Sequence, residues 1–157
     1  MKSIELKLGC DHRGYDLAEK IEKWICPIDD IDVDGPFDVA VYHNVGIHEN
    51  KRTDYNDIAV KLAEEIWDDS MGILVCGSGY GMQIQANRFH NVRAVTSRNE
   101  KEIEIARKHN DANVLCLGSD FTDFSTAKKI IKRFLSTKFE KGRHTKRVKK
   151  LGNGRGK

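Results

Sequence analysis

The 157-residue chain reads as an α/β protein: a doubly wound, five-stranded, mainly parallel sheet with helices on both faces. Strand-like apolar runs alternate with amphipathic helical stripes along its length, the order expected of βα units. One run, residues 72–76 (GILVC), is continuously apolar, as in a strand buried on both faces. No linker or internal repeat interrupts residues 1–140, which form one domain; residues 141–157 are a separate basic segment.

Residues 4–9 alternate apolar and polar and stop at Gly9-Cys10-Asp11, a first strand. Leu17, Ile21, Trp24 and Ile25 recur at spacings of three and four, the stripe of a helix. Residues 27–53 are mixed, with short strand candidates at 31–33 and 39–42 among the loop signals Pro27, Gly35, Pro36 and Gly46. Ile58, Leu62, Ala63 and Ile66 mark a second helix, followed by the strand at 72–76 and a helix over 82–88. Residues 92–96 form a strand, 100–109 a helix and 113–117 a further strand. Phe124, Ala127, Ile130, Ile131, Phe134 and Leu135 line the last long helix. Doubly wound sheets bind ligands beyond the carboxyl ends of their strands. There the sequence gathers Asp11-His12, the segment from Cys76 to Gly81, and Ser97-Arg98.

Charge excludes some functions. Residues 141–157 carry eight Lys/Arg and no acid, leaving 19 basic against 24 acidic groups in residues 1–140, a net of −5. The body is mildly acidic, which argues against a nucleic-acid surface. No apolar run approaches the roughly 20 residues of a membrane span, and a secretory signal is not evident. Four cysteines without short paired spacing indicate free thiols and a cytoplasmic protein. Within the basic segment, Val148 and Leu151 are placed to anchor a short helix, and residues 152–157 read as a solvated tail.

The strongest local signal is Gly77-Ser78-Gly79-Tyr80-Gly81 between a buried strand and a helix. Its glycines leave main-chain N–H groups open to an anion, at the positive end of the following helix. It is neither a dinucleotide fingerprint nor a Walker A loop; a tight turn without ligand is the bland alternative. Cys76, at the strand end, is either a thiol activated by the helix N-terminus or a small buried hydrophobe. His12 follows Asp11, which either orients it or caps the next helix. His109 ends a helix before a polar cluster, where a C-terminal cap on the helix dipole is the bland alternative to a chemical role. No paired His or Cys spacing marks a metal site. Arg143 and Arg147 stack one turn apart if helical, a pair of forks suited to phosphate, although the residues alone favour the bland reading of a solvated tail.

Seven pieces in one order resemble the ribose-5-phosphate isomerase B family, with its allose- and galactose-6-phosphate isomerase relatives. They are Gly9-Cys10-Asp11-His12, Arg52-Thr53-Asp54-Tyr55, residues 72–82 (GILVCGSGYGM), Ala86-Asn87, Val92-Arg93-Ala94, the run from His109 to Val114, and Gly142-Arg143-His144 with Arg147. The resemblance covers most of the chain outside residues 27–51. It implies a Rossmann-like α/β/α fold and a homodimer or tetramer with shared active sites, acting on a sugar phosphate without metal or organic cofactor. By the same resemblance, Cys76 is the base moving a proton between C1 and C2. His109 opens the furanose ring, assisted by Ser78, and the backbone from Gly77 to Gly81 cradles the enediolate oxygen. Asp11, His12, Tyr55 and Asn110 contact the sugar or its phosphate, and Arg143 and Arg147 reach the phosphate of the neighbouring subunit.

The sequence departs from the family at Asp120, where an Arg phosphate ligand is usual, and at Tyr80, Gln83, Gln85 and Asn56. The leading function is interconversion of ribose 5-phosphate and ribulose 5-phosphate. A hexose-6-phosphate isomerase and a sugar-phosphate-binding homologue without turnover are the alternatives.

Overall fold

The computed structural model describes residues 4–26, 39–67 and 69–152. Along the chain these form β1 (Ile4–Cys10), α1 (Tyr15–Ile25), β2 (Val39–Asn44), α2 (Tyr55–Glu64), β3 (Ser70–Cys76) and α3 (Tyr80–Ala86). β4 (Ala94–Thr96), α4 (Glu100–Asn110), β5 (Val114–Gly118), α5 (Phe124–Ser136) and α6 (Arg143–Val148) follow. The five strands make one sheet in the order β2-β1-β3-β5-β4, and every pairing is parallel. This is the expected Rossmann-like three-layer α/β/α arrangement. The strand candidate at 31–33, the loop signals Pro27, Gly35 and Pro36, and residues 153–157 lie outside the described residues.

The period-two alternation of the strands sorts the core. Ile73 and Val75 join Leu6, Leu8, Leu115 and Leu117 beneath the stripes of α1 and α5, where Phe134 is fully buried. The intervening residues Leu74, Cys76, Val114 and Cys116 face the other way, against α2 and α3. Each large aliphatic side chain buried this way contributes roughly 1.5–3 kcal/mol relative to exposure. Asn99 and Asp123 fix the starts of α4 and α5, their side chains accepting the Glu102 and Thr126 N–H groups at 3.0 and 2.7 Å.

Two expectations are corrected. α3 starts at Tyr80 rather than at residue 82, because Gly79 takes φ +82° and lets the helix begin on the next residue. α6 is not anchored by Leu151, which is exposed; the residue it buries is His144. The chain runs from β1 outward to β2 and then back across β1 to β3. Strand order therefore reverses between β1 and β3, the switch point at whose carboxyl ends doubly wound sheets bind ligands. Among the described residues, no helix is long and apolar enough to cross a membrane.

All four cysteines are free thiols. Burial pushes the Cys10 thiol up to about 12 and the fully buried Cys116 thiol higher still. Above about pH 8.5 the unfolded chain releases these protons while the folded chain keeps them, so stability falls as pH rises. Between pH 8 and pH 10 each of these two thiols should remove about 2 kcal/mol. Denaturant melts across that range are expected to show the loss, with a shallower slope in Cys10→Ala than in the parent; a parent stability unchanged over those two pH units would contradict it.

Candidate functional site

Around Cys76 the loop folds its amides inward. The Gly79 N–H donates to the Cys76 Sγ at 3.1 Å, and the Ser78 and Met82 amides also face the sulfur. Tyr80 and Gly81 belong to the first turn of α3, so the open loop is only Gly77-Ser78-Gly79. Cys76 is 4% exposed. Burial pushes its thiol above the ordinary range, the nearby Asp11 charge adds to the rise, and the amides of Gly79, Met82 and Ser78 oppose it. A thiol lowered by the helix N-terminus is therefore not what forms: desolvation outweighs the amide dipoles.

Asp11 closes β1 and is itself buried. Its Oδ1 accepts the Arg13 and Gly14 N–H groups at 3.0 and 2.9 Å, so this carboxylate shapes the turn into α1. His12 is oriented not by Asp11 but by Thr53, whose amide N and carbonyl O both lie 3.2 Å from Nδ1. A neutral Nδ1 accepts from the amide; a protonated one donates to the carbonyl. Tyr55 opens α2 and lays its ring on Gly81, where a Cβ would stand 2.6 Å from ring carbons. The Ser78 Oγ accepts the Tyr80 N–H at 3.3 Å. The Tyr80 hydroxyl accepts from the Arg98 guanidinium, which also lies 4.6 Å from the centroid of the Phe121 ring. Ser97 is buried, with its hydroxyl donating to the Asn99 carbonyl at 2.8 Å.

Arg13 belongs to this group although its sequence neighbourhood did not single it out. Its guanidinium covers Gly77 so closely that a Cβ there would stand 2.6 Å from Cζ. The Nη2 group donates to Asp120 Oδ2 at 2.5 Å, and the Ser119 hydroxyl donates to the Arg13 carbonyl at 2.9 Å. Arg13 and Asp120 are 55% and 45% exposed at their side chains, so the pair adds only about 0–1 kcal/mol to stability.

His109, Asn110, Arg143 and Arg147 lie elsewhere. His109 and Asn110 end α4, beside the amino end of β5, and α6 packs there. The His109 ring stacks on that of buried His144, with centroids 4.3 Å apart and 11° between planes. The Glu140 Oε2 lies 3.9 Å from the His109 Nε2 and 3.7 Å from the His144 Nε2. Desolvation, then the charges of His109 and Arg143, holds His144 below the ordinary imidazole range, so it is neutral near pH 7. Arg143 and Arg147 are exposed one turn apart on α6, and Asn110 is exposed as well. Asp111, at φ 49°, caps α4 and pairs with Arg93 and Arg107, each at 3.0 Å. Asn113 accepts the Arg93 N–H at 2.7 Å. Of the polar run 109–113, Asp111 and Asn113 thus hold the turn.

The fold also brings together a potential ligand set that spacing did not suggest, because ligand atoms of His109, Glu140 and His144 lie within 4.8 Å of one another. Stacked imidazoles direct their in-plane lone pairs along separate planes rather than at one point, which suits ring packing better than tetrahedral coordination.

The two groups occupy opposite edges of the sheet. Val114 pairs with Gly72 at one end of β5 and Gly118 with Cys76 at the other. Four residue steps at about 3.3 Å each separate these edges by roughly 13 Å. One protomer therefore does not bring His109, Arg143 and Arg147 to its own Cys76.

A model of the Ribose/Galactose Isomerase family matches residues 6–151. Ribose-5-phosphate isomerase B of Escherichia coli K12 is 33% identical over 149 residues, covering 94% of this chain and 93% of that protein. Among solved structures, ribose 5-phosphate isomerase B from Anaplasma phagocytophilum superposes with a TM-score of 0.84 at 34% identity, covering 97% of this chain and 99% of that one. The Mycoplasma genitalium enzyme of the same name, solved with bound ribulose-5-phosphate, gives 0.81 at 32% identity, covering 96% and 95%. With the match running nearly end to end, the chain belongs to the ribose/galactose isomerase family, in its ribose-5-phosphate isomerase B group.

Proposed function

We propose that the protein interconverts ribose 5-phosphate and ribulose 5-phosphate, with Cys76 as the base and His109 of a neighbouring subunit opening the sugar ring. The observation that carries this reading is the Cys76 thiol ringed by amides at the carboxyl edge of the sheet, with Gly79 N–H at 3.1 Å. Family membership and the relatives' names support the substrate.

Ring opening needs an acid–base group that titrates near neutrality, which histidine provides. In the open-chain aldose, the Cys76 thiolate removes the proton on C2. The electron pair forms the C1–C2 double bond, and negative charge moves to O1. Returning the proton to C1 and shifting the O2 proton to O1 leaves the carbonyl at C2. Amides at the start of α3 are suited to hold the developing oxyanion; losing one comparable donor elsewhere costs on the order of 10²–10³ in rate. Arg143 and Arg147 of the neighbouring subunit would grip the phosphate, whose binding energy can orient the reacting carbons.

The roughly 13 Å between sheet edges supports a site completed across a subunit interface. Base and ring-opening group act on nearby atoms of one sugar, and each needs hydrogen-bond reach of its target. A homodimer or tetramer follows from this reading, with no cofactor required.

Assays on ribose 5-phosphate, allose 6-phosphate and galactose 6-phosphate should show the highest kcat/KM on the pentose, and Cys76→Ala should lower it by at least about 10³-fold. Full activity in Cys76→Ala would remove the base, and preference for a hexose phosphate would change the substrate. Because burial raises the Cys76 thiol, the reactive thiolate should accumulate as pH rises above the ordinary thiol value of about 8.5. The kcat/KM profile should therefore climb through pH 8–9, about tenfold per unit below the midpoint, and a plateau already reached at pH 7 would contradict this.

A further inference from the structure

Beside Cys76 at the carboxyl edge stands a cation, Arg13, that the proposed chemistry leaves unused. We propose that Arg13 grips the anionic group of the substrate from within the same subunit as Cys76, with Asp120 as the positioning residue that holds its guanidinium in place. The inference rests on the sugar-phosphate reading of the site and adds a specificity residue to it.

Three observations converge. The guanidinium lies directly on the loop beside Cys76, in space that the missing side chain of Gly77 leaves free. Asp120 engages the Nη2 group alone, at 2.5 Å. Among the described residues no acceptor engages Nη1 or Nε, so part of the planar fork remains for a ligand. Such a fork matches the geometry of phosphate oxygens. The pair is also too exposed to stabilise the fold appreciably, so what it contributes is placement of the cation.

Asp120 makes this arrangement consequential. A carboxylate beside the glycine loop repels a phosphomonoester unless a cation stands between them. The other nearby carboxylate, Asp11, is turned to the Arg13 and Gly14 amides. Removing Arg13 both deletes a charge-assisted donor and uncovers the Asp120 charge. KM for the sugar phosphate should then rise much more than kcat falls.

The test compares the parent, Arg13→Ala, Arg13→Lys and the double variant Arg13→Ala/Asp120→Arg. KM and kcat on ribose 5-phosphate and the Kd for inorganic phosphate are measured, with thermal melts to confirm folding. Arg13→Ala should raise both KM and the phosphate Kd about 10- to 100-fold. Its kcat should change less than about threefold, and Arg13→Lys should fall between it and the parent. The double variant returns a guanidinium to the same place from the opposite loop and should recover phosphate affinity to within about fivefold of the parent. A folded Arg13→Ala with phosphate Kd within about twofold of the parent overturns the assignment, as does a folded double variant without recovery. A parent that lacks turnover while its phosphate Kd still responds to Arg13 would refute the isomerase reading and leave the anion site standing.

Discussion

The length of β5 separates the two halves of the proposed machinery. A parallel sheet has unlike edges. Cys76, His12 and the glycine loop sit where strands end, whereas His109 ends a helix running back to where they begin. Short helix-to-strand connections, with α4 ending at Asn110 and β5 starting at Val114, keep this polarity fixed. A thiol at one edge and an imidazole at the other reach one sugar only if a second chain supplies the missing edge. The His109–His144 stack then has a clear role: it docks α6 against the end of α4, so that His109, Arg143 and Arg147 form one unit.

Within the strand-end half, opposing effects act on one sulfur atom. Packing against α2 and α3 disfavours the thiolate, while three amides favour it. Burial prevails, leaving a thiol protonated at rest whose conjugate base is strong. The same burial places Cys76 in the apolar core cluster, as the reading of it as a small buried hydrophobe expects.

Much of the architecture was legible from local pattern. Period-two alternation in residues 4–9, the continuous apolar run at 72–76 and the helical stripes ending in Phe134 and Leu135 marked the observed element order, because burial on one or both faces of an element imposes those patterns. Boundaries were less legible. The start of α3 depends on the backbone conformation of Gly79, which no apolar stripe records. Ligand-bearing motifs were visible as short runs, but their partners were not. His12 is held by Thr53, 41 residues away, and Arg13 by Asp120, 107 residues away. Asp120 stood out in the sequence as an acid where a phosphate-binding cation was expected, and only the fold supplies Arg13 beside it.

Subunit complementation tests the division of the site most directly. Cys76→Ala and His109→Ala proteins, each inactive alone, are unfolded, mixed in equal amounts and refolded together, and isomerase activity is measured. If each site takes its thiol from one chain and its histidine from another, random hybrids contain one intact site per pair of chains. The mixture should then recover about a quarter of the parent activity. A mixture of verified hybrid oligomers that stays at the background of the single variants would show that both groups serve the same chain's site, contradicting the division across β5.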